Sequence, residues 1–477
     1  MTWTLTLQAR DEENQPQTLR FSLGRFMDAE DNFYDPRIMQ PGLYEAGLYA
    51  GQLLQQSRSG YGETTLINTD GGLDYLADYA VDGREMVLAL DGVPQVVGTV
   101  ARLAFSDDEV SVVLRDPLEP LRSPHPMQTY AGDNVLPNGL EGTQDDIAGE
   151  PKPLVFGEAR NAQPVLINTA LLIYQVSSLA DCTIQAVYDR GVALDNGGAY
   201  TSLAQLQSTA PAPGTFRAYQ GYVRVGDSAT GTLTVDAAQA DPRAGAVAQA
   251  LATARGYTLH DDDVATLNAY GAVRVYLTTQ TNTLELLDRI AESIGGYLSA
   301  QPDQVLRLGT WEEPEPTDAA IHDYAIQTVS RSATGAGPGG LPVWRVNIDC
   351  DRIETVQEDL AGNVDNGRRS RLARQTRRVV VTDESVRERH PLAGELTINS
   401  VLASYVQSHA VANRVLALLG VRRDTVTVEA IEALLPSVGG NLTLITPRQG
   451  YGAGRAMRVT GYRLNAQTDE ITLNLWG

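Results

Sequence analysis

Apolar and polar positions alternate with a period of two over much of the first quarter of the chain. Residues 2–7, 17–23, 63–68, 85–90, 95–105 and 109–114 follow this pattern between Gly, Asp and Asn turn signals, which predicts short antiparallel strands forming a small barrel. The same period returns at the other end, over residues 343–350, 425–429, 441–446, 456–461 and 470–476. A second set of short strands is expected between residues 152 and 191, and two hairpins are expected, one pairing 221–226 with 231–236 and one over 297–308. Three stretches switch to the helical period. Residues 242–255 open on Pro242 and stop at Gly256, with Val247 and Leu251 on one face. A second helix starts at Thr283, places Leu284, Leu287, Ile290 and Ala291 on one face, and ends at Gly295-Gly296. The third, 401–419, is apolar along most of one side, stops at Gly420, and is expected to pack against its own barrel.

These elements predict a β-rich α+β multidomain chain. Its parts are an N-terminal β-barrel over residues 1–125, a linker and β-rich connecting domain over 126–220, an α+β domain over 221–335, and a C-terminal β-barrel with an inserted helix over 336–477. Residues 120–153 read as the linker, residues 311–318 as an acidic extended connector, and residues 332–342 as a Gly-rich break. The two barrel-like ends share no fixed sequence period.

Composition narrows the function. A chain of 477 residues exceeds what one core normally supports, and its 44 Gly and 23 Pro suit tight turns between many strands. A formal net charge of −22 argues against holding nucleic acid, although an acidic wall would let a polyanion pass without sticking. Cys182 and Cys350 imply no disulfide framework, which suits a reducing cytoplasm. The first residues lack the pattern of an export signal, and no apolar run is long enough to cross a bilayer.

The sequence carries no nucleotide-binding loop, zincin motif, Cys pair or nucleophile elbow, so no catalytic, cofactor or metal residue is expected. The acidic spacing of residues 68–74 tempts a calcium reading, but without the long loop of an EF-hand a Gly turn explains it better. Residues 226–231 are a hairpin turn rather than an elbow. His260 with Asp261, Asp262 and Asp263 is either a metal cluster or, preferably, the acidic start of a helix. The sharpest anomaly is Arg368, Arg369, Arg371, Arg374, Arg377 and Arg378, six arginines in eleven residues of an acidic chain. They read as a solvated face or loop balancing the chain's own acids, as an intersubunit contact, or, third, as a nucleic-acid contact without stacking aromatics.

The order of strands and helix from Val343 to Trp476, with the helix ending Ala410-Val-Ala-Asn-Arg-Val-Leu-Ala-Leu-Leu-Gly420, resembles tailed-bacteriophage baseplate hub proteins. Residues 282–296 are similar to the helix of the hub's α+β domain, and residues 73–90 to part of its first barrel. The resemblance implies a non-enzymatic structural protein of the virion tail tip, synthesised and assembled in the host cytoplasm. It implies a homo-trimer whose two barrels per chain match a hexameric tail tube, gating the channel through which DNA passes. The partners implied are a distal tail or tail tube protein, a tape measure protein and a central fibre or tip protein, with no membrane and no specific nucleic-acid binding. A hexameric distal tail ring protein, a receptor- or glycan-binding tail protein, and a β-rich glycosidase are the alternative readings.

Overall fold

The computed structural model describes residues 2–48, 62–134, 139–300, 305–333, 341–431, 437–468 and 470–477; most of the Gly-rich break at 332–342 lies outside them. Among the described residues the chain is β-rich, with seven α-helices.

The N-terminal sheet uses β1 (Trp3–Arg10), β2 (Pro16–Ser22), β5 (Ile38–Gln40), β7 (Glu63–Ile67), β8 (Glu85–Leu90), β9 (Val93–Phe105) and β10 (Glu109–Leu114). Between them lie the short ribbon β3 (Phe26–Met27) and β4 (Phe33–Tyr34), and β6 (Leu43–Gly47), which joins a different sheet. The strand order is β2-β1-β8-β9-β10-β7-β5, antiparallel throughout. Alternation puts Leu5, Leu7, Met86, Leu88, Val110 and Val112 on the inner face, where each is fully buried.

Two five-stranded sheets follow. One contains β11 (Leu154–Ala162), β14 (Cys182–Asp189), β15 (Val192–Ala193), β19 (Leu233–Gln239) and β21 (Arg274–Leu277); the other contains β12 (Val165–Asn168), β13 (Ile173–Gln175), β16 (Asp195–Ala199), β17 (Thr215–Tyr219) and β18 (Tyr222–Val225). They share one core of Val155, Val187, Phe216, Val223 and Val235, a sandwich arrangement. The expected hairpin at 221–236 does not form, because β18 and β19 belong to opposite sheets and residues 226–232 cross between them. The stretch read as a linker is packed on this sandwich, with Tyr130 and Leu140 buried beside Ile167 and Ile173.

Helix α1 (Leu203–Ser208) packs on the sandwich between β16 and β17, and the central unit contains α2 (Ala244–Thr253), β20 (Thr258–Leu259), α3 (Asp261–Asn268), α4 (Thr283–Ser293), β22 (Gly296–Ala300) and β23 (Val305–Thr310). Helix α4 begins at Thr283, as expected, and its start is set by Asn282, whose side chain accepts a bond from the Glu285 amide at 2.6 Å. After β24 (Ala320–His322) and β25 (Ile326–Ala333) come β26 (Val343–Cys350), α5 (Asn366–Leu372), β27 (Arg377–Thr382), α6 (Glu384–Arg389), β28 (Gly394–Asn399) and α7 (Tyr405–Leu419). Strand β26 pairs with β27 and β28 in a separate three-stranded sheet, outside the C-terminal barrel in which it had been expected. Helix α7 covers that sheet rather than a barrel, and Val346, Ile348, Val411 and Val415 join Leu287 and Ile290 of α4 in one core.

The C-terminal sheet runs β24-β30-β31-β32-β29-β25, using β29 (Asp424–Ile431), β30 (Asn441–Thr446), β31 (Tyr451–Asn465) and β32 (Glu470–Trp476). Counting strands along the chain, its spatial order is first, fourth, fifth, sixth, third, second. The N-terminal sheet without β2 has the same order: β1-β8-β9-β10-β7-β5. The longest strand of each sheet, β9 or β31, occupies the same place. The one change of sense is that β24 lies parallel to β30 where β1 is antiparallel to β8. The two sheets are a topological repeat. The second carries β26 through α7 as an insertion between its second and third strands.

The repeat is sutured. The first half of β31 pairs with β30 and the second half with β6, from Gly461↔Gly47 to Asn465↔Leu43. Leu464, a residue of the C-terminal sheet, is buried in the N-terminal core.

On the outer side of α4, Asp288 and Glu292 lie one turn apart and half-buried, each with a carboxyl oxygen lacking a hydrogen bond. Burial pushes both carboxyls up to about 6. The folded state therefore binds these protons more tightly than the unfolded chain, and stability falls as pH rises from about 4 through 6. Asp288→Asn is expected to raise Tm at pH 8 and leave it nearly unchanged at pH 4, as read by thermal melts; an unchanged Tm at both values would refute the assignment.

Candidate assembly surface

The arginine-rich segment, expected as a strand face or loop, folds as a helix followed by a strand. Asp365 caps α5 by accepting from the Arg368 amide at 2.9 Å, and Arg369 and Arg371 fall in the last turn, where the helix dipole favours cations. Pairing of β27 with β26 then sets Arg378 opposite Asp349 and Arg377 opposite Cys350.

The six side chains divide into two groups. Arg368, Arg369 and Arg371 turn inward. Arg368 lies 3.7 Å over the Tyr188 ring and donates to the Gly191 carbonyl, Arg369 donates to the Ala361 carbonyl, and Arg371 donates to the Asp351 carbonyl. Burial lowers the pKa of Arg371, with the nearby Asp351 carboxylate opposing that effect. Arg374, Arg377 and Arg378 are exposed. Arg377 lies 4.5 Å over the ring of Tyr405, the first residue of α7, and Arg378 forks onto both Asp349 oxygens at 2.8 and 2.6 Å, which raises its pKa.

Two clefts flank Asp351. The smaller, about 340 Å³, is lined by Arg160, Asp236, Arg274, Asp351 and Arg368. Its charges are matched internally: Arg274 pairs with Asp351 and with Glu158, while Arg160 reaches Asp236 at 3.3 Å. The larger, about 590 Å³, is lined by Arg371, Arg374, Arg377, Arg378, Asp349 and Tyr405. Cations outnumber carboxylates there, and three of its four lining arginines, Arg374, Arg377 and Arg378, reach solvent. This open cationic cleft is suited to receiving carboxylates or other anions in forked geometry. The sequence marks it by the arginine count alone; Tyr405 and Asp349 come to it through the tertiary fold.

The remaining motifs are turned to structure. Asn68 accepts the Leu73 amide, and Arg37 grips Asp70 with both terminal nitrogens, holding its carboxyl well below the usual range. Asp263 accepts two bonds from Arg307 and one from the Leu308 amide, so it ties α3 to β23. Among the described residues no group of three His, Cys, Asp or Glu side chains is placed to hold a metal ion.

No family model and no curated protein matches this sequence. The solved structures to which it is similar include phage tail and baseplate proteins. A tail protein from Neisseria meningitidis MC58 has a TM-score of 0.45 at 11% identity, with 100% of this chain and 96% of that one covered. The 43 kDa tail protein of prophage MuSo2 from Shewanella oneidensis has 0.42 at 8% identity, covering 99% and 95%. Prophage tail protein gp18 from Listeria monocytogenes EGD-e has 0.41 at 9%, covering 99% and 94%.

Proposed function

We propose that this chain is a structural hub of a phage tail tip, three copies of which form a ring joining the hexameric tail tube to a central fibre or tip around the DNA channel. The observation that carries the reading is the topological repeat: one chain holds two curled sheets of the same strand order, sutured by β6 and β31. Three chains then present six similar units, the number a hexameric tube requires. The sequence resemblance at residues 343–476 and 282–296 supports the same assignment.

The function is assembly rather than catalysis. The chain's acids give the ring a wall that repels a passing duplex, and its partners are a distal tail or tube protein, a tape measure protein and a central fibre or tip protein. The mass of the purified assembly tests this. Three copies in a ring with an axial opening is the expected result. Six copies would favour a distal tail ring, and a protein that stays monomeric at all concentrations, or turns over peptidoglycan, would overturn the hub assignment.

A further inference from the structure

The open cationic cleft and the acidic connector lie near opposite ends of one helix. At the N-terminal end of α7, Arg377 lies over Tyr405, and the cleft has apolar neighbours along the chain: Val406 on α7 is 75% exposed and Val380 on β27 is 42% exposed. Exposed arginines around a half-buried tyrosine, with apolar surface beside them, have the composition of an interface centre rather than of a solvated face. Near the C-terminal end of α7, Arg414 donates to the Trp311 carbonyl at 2.5 Å, and Arg423, just beyond the helix, pairs with Glu313 at 3.0 Å. There residues 312–318 leave the core as an extended segment exposing Glu312, Glu313, Glu315 and Asp318. Pro314 and Pro316 stiffen this segment and remove two of its amide donors, which disfavours a strand and leaves little freedom to lose on docking.

Tyr405 and Leu418 are separated by about 20 Å along the helix axis. The cleft of one chain is therefore out of reach of its own acidic segment. A surface at one end of a strut that complements the surface at its other end is heterologous, and repeated head to tail it gives a ring when the rotation between copies closes. The net charge of −22 sharpens the choice, because two copies repel on average and a cationic island met by carboxylates offsets that repulsion.

We infer that, in the assembled ring, the cleft formed by Arg371, Arg374, Arg377, Arg378 and Tyr405 of one copy receives the acidic segment 312–318 of the next copy. This rests on the ring proposed above and names its contact. The test is a charge swap read by native mass and sedimentation over a concentration series. Arg374→Glu with Arg377→Glu reverses the cleft; Glu312→Lys with Glu315→Lys reverses the segment and leaves the Glu313–Arg423 pair intact. Each pair alone is expected to raise the half-assembly concentration by roughly tenfold or more, and the four changes combined to restore it to within about threefold. Thermal melts check that each variant folds. If reversal harms folding, the milder Arg374→Gln and Glu315→Gln are used in a double-mutant cycle, where coupling supports the contact and strict additivity refutes it. Wild-type-like assembly of both reversed variants, or a combined variant no better than either, would sink this contact while leaving the ring standing. A wild-type chain that never assembles would sink both.

Discussion

Trp476→Ala is expected to cost about 3–5 kcal/mol and to loosen the C-terminal sheet from the central unit. Trp476 ends β32 with 2% of its surface exposed, and its ring meets that of Trp311 edge-on at 5.3 Å, with Tyr297 next in the row at 5.2 Å from Trp311. The joint is closed by cations: Arg423 lies over Trp476, and Arg458 lies over both Tyr297 and Trp311 while donating to the Thr310 carbonyl at 3.0 Å. Removing the indole opens a cavity and strips the Arg423 guanidinium of its packing surface. Urea unfolding should show a lower midpoint, with the transition splitting as the sheet melts before the core around α4 and α7. A loss below about 1 kcal/mol would mean that the joint relaxes freely and does not couple the units.

The second large effect is at the suture. Leu464→Ala is expected to cost about 2–5 kcal/mol, because Leu464 is buried in the N-terminal core although its backbone belongs to the C-terminal sheet. Gly461→Val attacks the same seam through the backbone. A Cβ at Gly461 would stand 2.8 Å from the Ala46 carbonyl oxygen and 3.2 Å from the Gly47 Cα, so β6 must shift away from β31. The amides of residues 43–47 should then exchange rapidly, while those of β8 and β9 stay protected. Full protection across 43–47 in Gly461→Val would show that the pairing tolerates a side chain and that the seam is not set by close approach.

Much of the architecture was legible wherever local pattern and tertiary burial agree. The alternating runs at 2–7, 85–90 and 109–114 coincide with β1, β8 and β10, and the apolar faces around Leu287 and Val415 with α4 and α7. The failures have one physical root, which is that period reports burial and not the identity of the partner. Residues 221–226 and 231–236 look like a hairpin because both alternate and a Gly turn lies between them, yet β18 pairs with β13 and β17 while β19 pairs with β11 and β14 of the opposite sheet. Val343 to Cys350 reads as one more barrel strand, since nothing local separates a strand beneath α7 from a strand in a barrel. The repeat of strand order is hidden because the second copy is interrupted by an insertion holding a sheet and a helix of its own. Of the cleft, the arginines were visible as a count. Their division into three inward and three exposed depends on where Tyr188, Gly191 and Asp351 lie in the fold.

The pairing of β6 with β31 also sets an order of events during synthesis. Residues 43–47 are made more than 400 residues before their partner strand, residues 461–465. Until then the emerging polypeptide holds a short strand without its ladder, and the N-terminal core lacks Leu464 and Ala466. A contact spanning most of the chain closes late and slowly, since the long intervening loop must be ordered before it is rewarded. A product stalled before residue 461 therefore keeps its two sheets without this joint, however well each has folded by itself.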